Sequence, residues 1–494
     1  MDSAGSLPLS GGPHWRDGLS SLQAFHDSER RQIVPRDRDE TGRVEEEAVV
    51  WGLLVSGGMN VRSPWSASLL AGLLLAGCVE PPSAEVPPDT VSSPDVVPVP
   101  APPQPVPPLE QPQPAPVPYS LRVPVPEALR TSGAVVVVSR LHESRPAQES
   151  VTKLAAGAQE FEVDGTPGEV LAVSVLDPAG GLSESAMVPV GPSAWPAKED
   201  KPQTLRVPQD YPNIQAAVDA ARAGDTVLVK PGTYFETVRL KSGIRLLGSG
   251  ARWTLLDGAG APVKLIDFSG ATDVVVAGFT FQNVGTGNLC DSQDVMYCGG
   301  TWYSSAVSAD GHTDLGKAPT SALLMHNVFR NNSIGVMLYF RARAVVRNNL
   351  FVGNTHGFVA NHFQDVALVA NNVFWENTRE AIVSQAAYLD VLNNVVARSE
   401  VGIWHAHIQT GRIRCNLFFE NGVNGADIHD VPPRFEIGTD GNVELDPLFL
   451  SPGEGNFHPA GASPLLDAGC FEGLDPNGTH EDRGAYGGPL GNWQ

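Results

Sequence analysis

The chain is short of cysteine, of positive charge and of long apolar runs, and each shortage removes a class of protein. Five cysteines among 494 residues include no Cys-x-x-Cys pair and no short histidine pairing of the kind that marks a structural zinc site. Lys and Arg number 33 against 55 Asp and Glu, a formal charge of −22 with a pI near 4.9. Nucleic-acid binding needs a basic footprint that this balance lacks, whereas an acidic excess suits a secreted protein that must stay soluble. The most apolar run, Ser66 to Gly77, is too short to span a bilayer.

What the chain has instead is a repeat. Asparagine recurs at Asn327, Asn349, Asn372, Asn394 and Asn416, at spacings of 22, 23, 22 and 22. An apolar residue stands three positions before each (Leu324, Val346, Val369, Val391, Ile413) and an apolar pair follows. Five residues on comes a second Asn (Asn332, Asn354, Asn377, Asn421), with Ser399 the exception, and a glycine often follows at the eighth position (Gly335, Gly357, Gly402). A fixed period of this length means a solenoid whose repeats bury their apolar faces against one another. The leucine-and-asparagine consensus of leucine-rich repeats is absent. The apolar runs are short, β-branched and aromatic, so they read as strands. One period is then one coil of a parallel β-helix with three strands and three turns, and successive coils lie ~4.8 Å apart. At that spacing the asparagines stack into amide ladders, each donating to one neighbour and accepting from the other.

Upstream, residues 1–58 carry no core pattern. Met59-Asn-Val-Arg62 followed by the apolar run reads as a secretory signal over 59–77. A signal should open a chain, so either Met59 is the true start or 1–58 is a misassigned upstream segment. Leu75-Ala-Gly-Cys78 resembles the lipobox of bacterial lipoproteins. That resemblance implies cleavage before Cys78, lipidation of its thiol, and a membrane-anchored lipoprotein of the outer membrane or cell surface. From 78 to 118 a Pro-rich segment favours extended polyproline II and reads as a stalk. Residues 119–192, with runs such as Ala134-Val-Val-Val-Val138 and Leu171-Ala-Val-Ser-Val175 between Gly, Pro and Asp turns, predict a small β-sandwich-like domain, spacer or accessory binding module. A linker over 193–203 leads to the solenoid at 204–494. The four remaining cysteines, Cys290, Cys298, Cys415 and Cys470, are even in number, which in an exported protein fits two disulfides. Cys290–Cys298 closes a small loop and Cys415–Cys470 ties a coil to the tail; free buried thiols are the alternative.

Val207-Pro-Gln-Asp-Tyr-Pro-Asn-Ile-Gln-Ala-Ala-Val218 and Gly224-Asp-Thr-Val-Leu-Val-Lys-Pro-Gly-Thr-Tyr234 carry a further signal. Asn213 is an N-cap candidate, and Ile214, Ala217, Val218 and Ala221 form a helical stripe that caps the open solenoid end. Here, and at Asp446-Pro-Leu-Phe449, Ser463-Pro-Leu-Leu-Asp467 and Arg483-Gly-Ala-Tyr-Gly-Gly488, the chain resembles the right-handed parallel β-helix, or pectin-lyase-like, superfamily. The expected fold is therefore all-β: a single-stranded right-handed parallel β-helix with an N-terminal capping helix, preceded by the small β domain. That superfamily holds lyases, hydrolases, esterases, epimerases and non-catalytic proteins, so function does not follow from it. Gly232-Thr-Tyr-Phe-Glu236 looks like the opening motif of pectin methylesterases, but their later catalytic motifs are missing and the esterase is rejected.

One more coil is expected at 273–283, with Gly278 in the place of the ladder Asn and Asn283 keeping the five-residue offset. Beyond it an excursion between Val284 and Thr320 carries Trp302 and Tyr303, candidate sugar-stacking aromatics beside a groove. Thirteen residues past each ladder Asn lie Phe340, His362, Gln385, His407 and His429, and nearby stand Tyr339, Arg341, Asn361, His405, Gln409, Asp427 and Asp430. Neighbouring imidazoles disfavour each other's protonation and leave a neutral ring able to act as a base. Three readings compete: a solvated polar face with histidines in it by chance, a groove for an extracellular polysaccharide, and β-elimination on an acidic polysaccharide. In the last, His407, His429 or His362 removes the C5 proton, Arg341 or a cation neutralises the uronate, and Tyr339 is the acid. Gln385, Asn361, His405, Asp427, Trp302 and Tyr303 would bind substrate. A metal site on the histidine column is a weaker idea. Hydrolysis would need facing carboxylates; Asp365, Asp427 and Asp430 are candidates without a regular column. Asp475, Asn477 and Asp482 gather oxygen ligands around a Gly turn as calcium loops do, so Ca2+ is the one cofactor considered, beside a plain turn. No nucleic-acid partner is expected, and a monomer is.

Overall fold

The computed structural model describes residues 119–142, 145–177, 182–190, 202–287, 304–311, 320–362, 364–406, 411–427, 435–471 and 473–493. Cys78, Cys290, Cys298, Trp302, Tyr303, His407, Gln409, His429 and Asp430, named above, lie outside the described residues. So do the signal and the stalk.

From Thr204 onward the chain winds as a right-handed parallel β-helix. Each coil contributes one strand to each of three parallel sheets. Sheet I runs from Thr204–Val207 to Ile413–Arg414, sheet II from Gly232–Tyr234 to Val443–Glu444, and sheet III from Val238–Arg239 to Val423–Asp427. Sheets I and II have nine strands and sheet III eight. The short helix Ile214–Ala220 closes the N-terminal end. Asn213 caps it by accepting from the Ala216 N–H at 2.8 Å, and Ile214, Ala217 and Val218 are fully buried over the first coil. The Glu236 carboxylate takes the N–H groups of Ile214 (3.0 Å) and Gln215 (3.1 Å). The Glu of the Gly-Thr-Tyr-Phe-Glu motif therefore satisfies helix donors that no backbone carbonyl reaches.

Both asparagine ladders form. At the I–II turn Asn327, Asn349, Asn372, Asn394 and Asn416 are fully buried, and from Asn349 on each side-chain oxygen accepts from the preceding Asn's backbone and amide N–H. Asn442 extends the ladder by one rung. At the II–III turn Asn332, Asn354 and Asn377 form the second ladder, and beyond Ser399 the Asn421 carbonyl takes the Ser399 N–H. In the coil before Asn327 the expected placement is off by one. Phe279 N–H donates to Asn327 Oδ1 and Val284 N–H to Asn332 Oδ1, so Phe279 and Val284 hold the ladder positions. Gly278 (φ 79) and Asn283 (φ 59) hold the left-handed positions just before them, which Gly and Asn adopt most easily.

Inside the coils Phe281, Phe329, Phe351 and Phe374 stack at centroid distances of 5.3, 4.7 and 4.5 Å. The eighth-position glycines make room for them: a Cβ on Gly335 would lie 2.9 Å from Phe351, and one on Gly357 2.8 Å from Phe374.

The outer faces of sheets I and II are covered. The preceding β region, a four-stranded antiparallel sheet with a two-stranded one, packs Val137, Leu141, Val170 and Met187 against Val275, Leu323, Val345 and Leu368 of sheet I. Asp390 links the two, taking the Ala147 N–H and the Arg412 guanidinium. Phe457, Leu465, Ala485 and Trp493 cover Leu350, Val373, Trp375 and Val395 of sheet II.

The tail also straps the I–II corner. His326, Asn348, Asn371, Asn393 and Cys415, each with φ between 52 and 57, immediately precede the ladder asparagines and point outward. His326 Nε2 meets the Leu490 carbonyl at 2.8 Å, and Asn348 Nδ2 the carbonyls of Ala485 and Gly487. Asn371 Nδ2 donates to the Asp482 carbonyl, Asn393 to the Glu481 carboxylate, and Cys415 is disulfide-bonded to Cys470. The expected tie between a coil and the tail is thus one of five fastenings along one column.

Where strap, sheet I and the small β region meet, Arg347, Glu149 and Glu481 are all buried. Arg347 pairs with Glu149, which also accepts from Ser139 Oγ at 2.8 Å. Glu481 accepts from Asn393 and from the Phe471 N–H. Burial, then the nearby Glu149 charge, pushes the Glu481 carboxyl up to about 8, against the pull of Arg347 and these donors. A carboxyl raised on folding holds its proton in the native state after the unfolded chain has lost it, so stability falls as pH rises between those two values. Burial lowers His326 to about 4, which acts in the opposite sense but is spent above the unfolded histidine value, ~6.5. From pH 6.5 to 8 Glu481 is therefore expected to take about 2 kcal/mol from the fold, and Glu481→Gln to lessen the pH slope by that share, leaving the share of Asp475, which is raised to about 7. Denaturant titrations at the two pH values check it; an unchanged pH slope in the variant counts against Glu481.

Candidate functional site

With two sheet faces and one corner covered, the candidates left lie on sheet III, whose outward residues Met337, Val359, Val383 and Trp404 are also buried, and at its two corners, where Arg341 and Asn331 are exposed. Along sheet III, Val336, Leu338, Phe358, Ala360, Ile382 and Ile403 belong to the core. Strand alternation therefore turns Tyr339, Asn361 and Gln385 outward. Asp310 pairs with Tyr339, Leu338 with Ala360 and Ala360 with Ser384, so Tyr339, Asn361 and Gln385 follow as one row, continued by Ala406. All three are nonetheless buried, 3–4% exposed, so the row forms no open trough; Tyr339 reaches the III–I corner through its ring contact with His362.

Counting thirteen from the ladder loses register at Gln385. Phe358 pairs with Ile382, 24 residues on, and Ile382 with Ile403, 21 on. One extra residue between Asn377 and Glu380 accounts for both steps and shifts Gln385 off the His362 position onto the Asn361 row. His405 is placed differently again. It shares the inward row of Leu338, Ala360 and Ser384, is 1% exposed, and meets the Phe435 ring edge-on at 6.3 Å. Its partner in register on the next coil is Asp427.

At the III–I corner the structure does gather candidate groups. His362 stacks on Phe340 from the preceding coil, centroids 3.4 Å apart, and Tyr339 meets His362 edge-on at 5.8 Å. Arg341, exposed, donates through Nε to Gln364. Phe340 (φ 50) and Arg341 (φ 55) are consecutive left-handed residues, a conformation that costs non-glycine residues energy and clusters at functional sites. Beneath the corner Asp365 is fully buried; its carboxylate accepts from the Ala342 N–H at 3.0 Å, and its own N–H donates to the His362 carbonyl at 2.9 Å. Burial raises its carboxyl well above the ordinary range, the nearby Asp310 adding to this. Asp365 therefore holds the turn that presents Arg341, and because it and the nearby Asp310 are both fully buried they do not flank an open cleft as hydrolysis would need.

The calcium-loop residues are engaged by the tail itself. The Asp475 carboxylate accepts from the N–H groups of Asp482 and Gly488, Asp482 from Asp467, and Asn477 from Thr479. Burial and the Asp482 charge push Asp475 up to about 7. The arrangement is that of a turn brace whose oxygens point at amides. Among the described residues there is no group of three or more His, Cys, Asp or Glu that could hold a metal ion, and no helix long and apolar enough to cross a membrane.

Residues 236–431 match the family model described as "Periplasmic copper-binding protein (NosD)". No curated protein matches the chain. Among solved structures the chain is similar to a pectin methylesterase in complex with a hexasaccharide (12% identity, 52% of this chain and 98% of that one, TM-score 0.29). It is also similar to a GH87 alpha-1,3-glucanase catalytic domain in complex with tetrasaccharides (11%, 62% and 58%, 0.28) and to the PL6 family alginate lyase AlyGC (16%, 45% and 40%, 0.26). The fold, a right-handed parallel β-helix, rests on the strand register above.

Proposed function

We propose that this chain is an exported β-helix protein that binds an acidic extracellular polysaccharide at its III–I corner. The observation that carries the reading is the convergence there of an exposed Arg341, the Phe340–His362 ring pair and Tyr339 on a strained turn. A guanidinium recognises a carboxylate and flat rings recognise sugar faces. The signal over 59–77, the lipobox at Cys78 and the Cys415–Cys470 disulfide support export, since disulfides persist in oxidising compartments. The description of the matched family, a periplasmic protein, is of the same kind. On this reading Cys78 carries the lipid, 78–118 is the stalk, and the folded part acts as a monomer. A copper or other metal reading would draw on His362 with His407 and His429, and the described donor set favours the sugar.

Lyase-type β-elimination is the second reading, and the edge-on approach of Tyr339 to His362 beside Arg341 favours it. Arg341 would neutralise the uronate carboxylate and His362, His407 or His429 would take the C5 proton. The C4–O4 bond then breaks, a C4=C5 double bond forms, and the leaving oxygen takes a proton from Tyr339. Uronans incubated with the protein are expected to yield unsaturated ends that absorb in the ultraviolet. His362→Ala should lower that rate about 100-fold or more, and Arg341→Ala should weaken binding roughly tenfold. Binding without any unsaturated product leaves the module and removes the lyase. Absence of binding to every uronan removes both.

A further inference from the structure

The other open corner, II–III, carries a recess of about 360 Å3 lined by Ala259, Gly260, Asn283, Val284, Gly285 and Asn331. A relay across three coils stands at its margin. Asp257, Gln282 and Arg330 are successive partners in sheet II. Asp257 accepts from the amide groups of Gln282 and Asn283. That fixes the Gln282 amide with its oxygen toward Arg330, which donates Nε (2.8 Å) and Nη2 to it. Arg330 is thereby aimed, yet its charge is unanswered: among the described residues it has no carboxylate partner. Further along the same edge Arg398 is the opposite case, held between Glu376 (3.3 Å) and Glu420 (2.9 Å) over the Trp375 ring at 4.8 Å. In a chain of net charge −22, Arg330 is an exposed arginine held in place by Gln282 and without a salt-bridged carboxylate among the described residues, and it adjoins an amide-lined recess through Asn331.

We infer that this recess is a second subsite for an acidic sugar, with Arg330 taking the carboxylate and the side-chain amide of Asn331 taking a hydroxyl. The inference rests on the acidic-polysaccharide reading but uses different residues on a different corner. A planar fork already held on one side loses little freedom on meeting a carboxylate, and the neutral lining accepts a sugar ring without a second charge.

Calorimetric titration of the full chain with tetrasaccharides of galacturonate, mannuronate and guluronate, and with a neutral galactose tetrasaccharide, tests this. Arg330→Ala is expected to weaken uronate binding roughly tenfold to a hundredfold while leaving the neutral tetrasaccharide within about twofold. Asn331→Gly keeps the left-handed backbone (φ 54) available to glycine and is expected to weaken both kinds of ligand. Uronate affinity that is lost in Arg341→Ala and untouched in Arg330→Ala would overturn the subsite and leave the III–I corner standing. The reverse supports the subsite and removes the III–I reading. A chain that binds none of the three uronates overturns the inference, and thermal unfolding of each variant shows that the fold is intact.

Discussion

Asn372→Ala is expected to cost on the order of 5 kcal/mol, the largest effect of any single change considered. The residue is fully buried in the middle of the I–II ladder. Its amide nitrogen donates to the carbonyls of Val346 (2.9 Å) and Ala370 (3.0 Å) and to Asn394 Oδ1 (3.0 Å), while its oxygen accepts from Asn349 N and Nδ2. Alanine leaves those partners in a dry interior, and each buried group without a partner costs ~1–3 kcal/mol. Asn421, at the half-exposed end of the second ladder, should cost well under half as much when truncated. Equilibrium unfolding of the two variants checks the contrast, and equal losses would mean that the ladder is not the source of the stability.

Joint replacement of Cys415 and Cys470 by serine is expected to lower stability by about 4 kcal/mol, the chain-entropy value for a bridge separated by 55 residues. The loss should have a direction. The strap has four other fastenings along the column, so it should loosen from the Cys470 end first, with amide exchange accelerating around Glu481 and Asp482 before Leu490. Uniform acceleration over the whole solenoid, or a loss below ~1 kcal/mol, would show that the hydrogen bonds alone hold the tail.

The ladder was legible in the sequence because its chemistry admits few residues. Between coils a side chain that both donates and accepts continues the ladder, so Asn recurs without a break from Asn327 to Asn416 at the I–II turn, and Phe279 ends it. The outward column beside it was hidden in plain view. Asn348-Asn349, Asn371-Asn372 and Asn393-Asn394 each read as one asparagine signal, although the first member faces the tail and the second the core. His326 and Cys415 complete that column with different chemistry, which a search for one residue type passes over. The histidine column failed at Gln385 for another reason: counting from the ladder assumes that every sheet III strand begins at the same offset, and the residue added before Glu380 breaks that offset. Arg330 gave no signal at all, since an arginine on a strand looks the same whether or not a glutamate answers it across the coils.

The strap has a bearing on how such a protein can change its length. Fastenings on five consecutive coils are met by five points between Cys470 and Leu490, so the tail measures the solenoid like a ruler. Duplicating one internal period, the ordinary way a repeat array grows, would throw every mark beyond the insertion out of step by ~4.8 Å. Growth without penalty is open only outside the gauged stretch, toward the capped N-terminal coils, and there alone can this architecture gain turns while keeping its clasp.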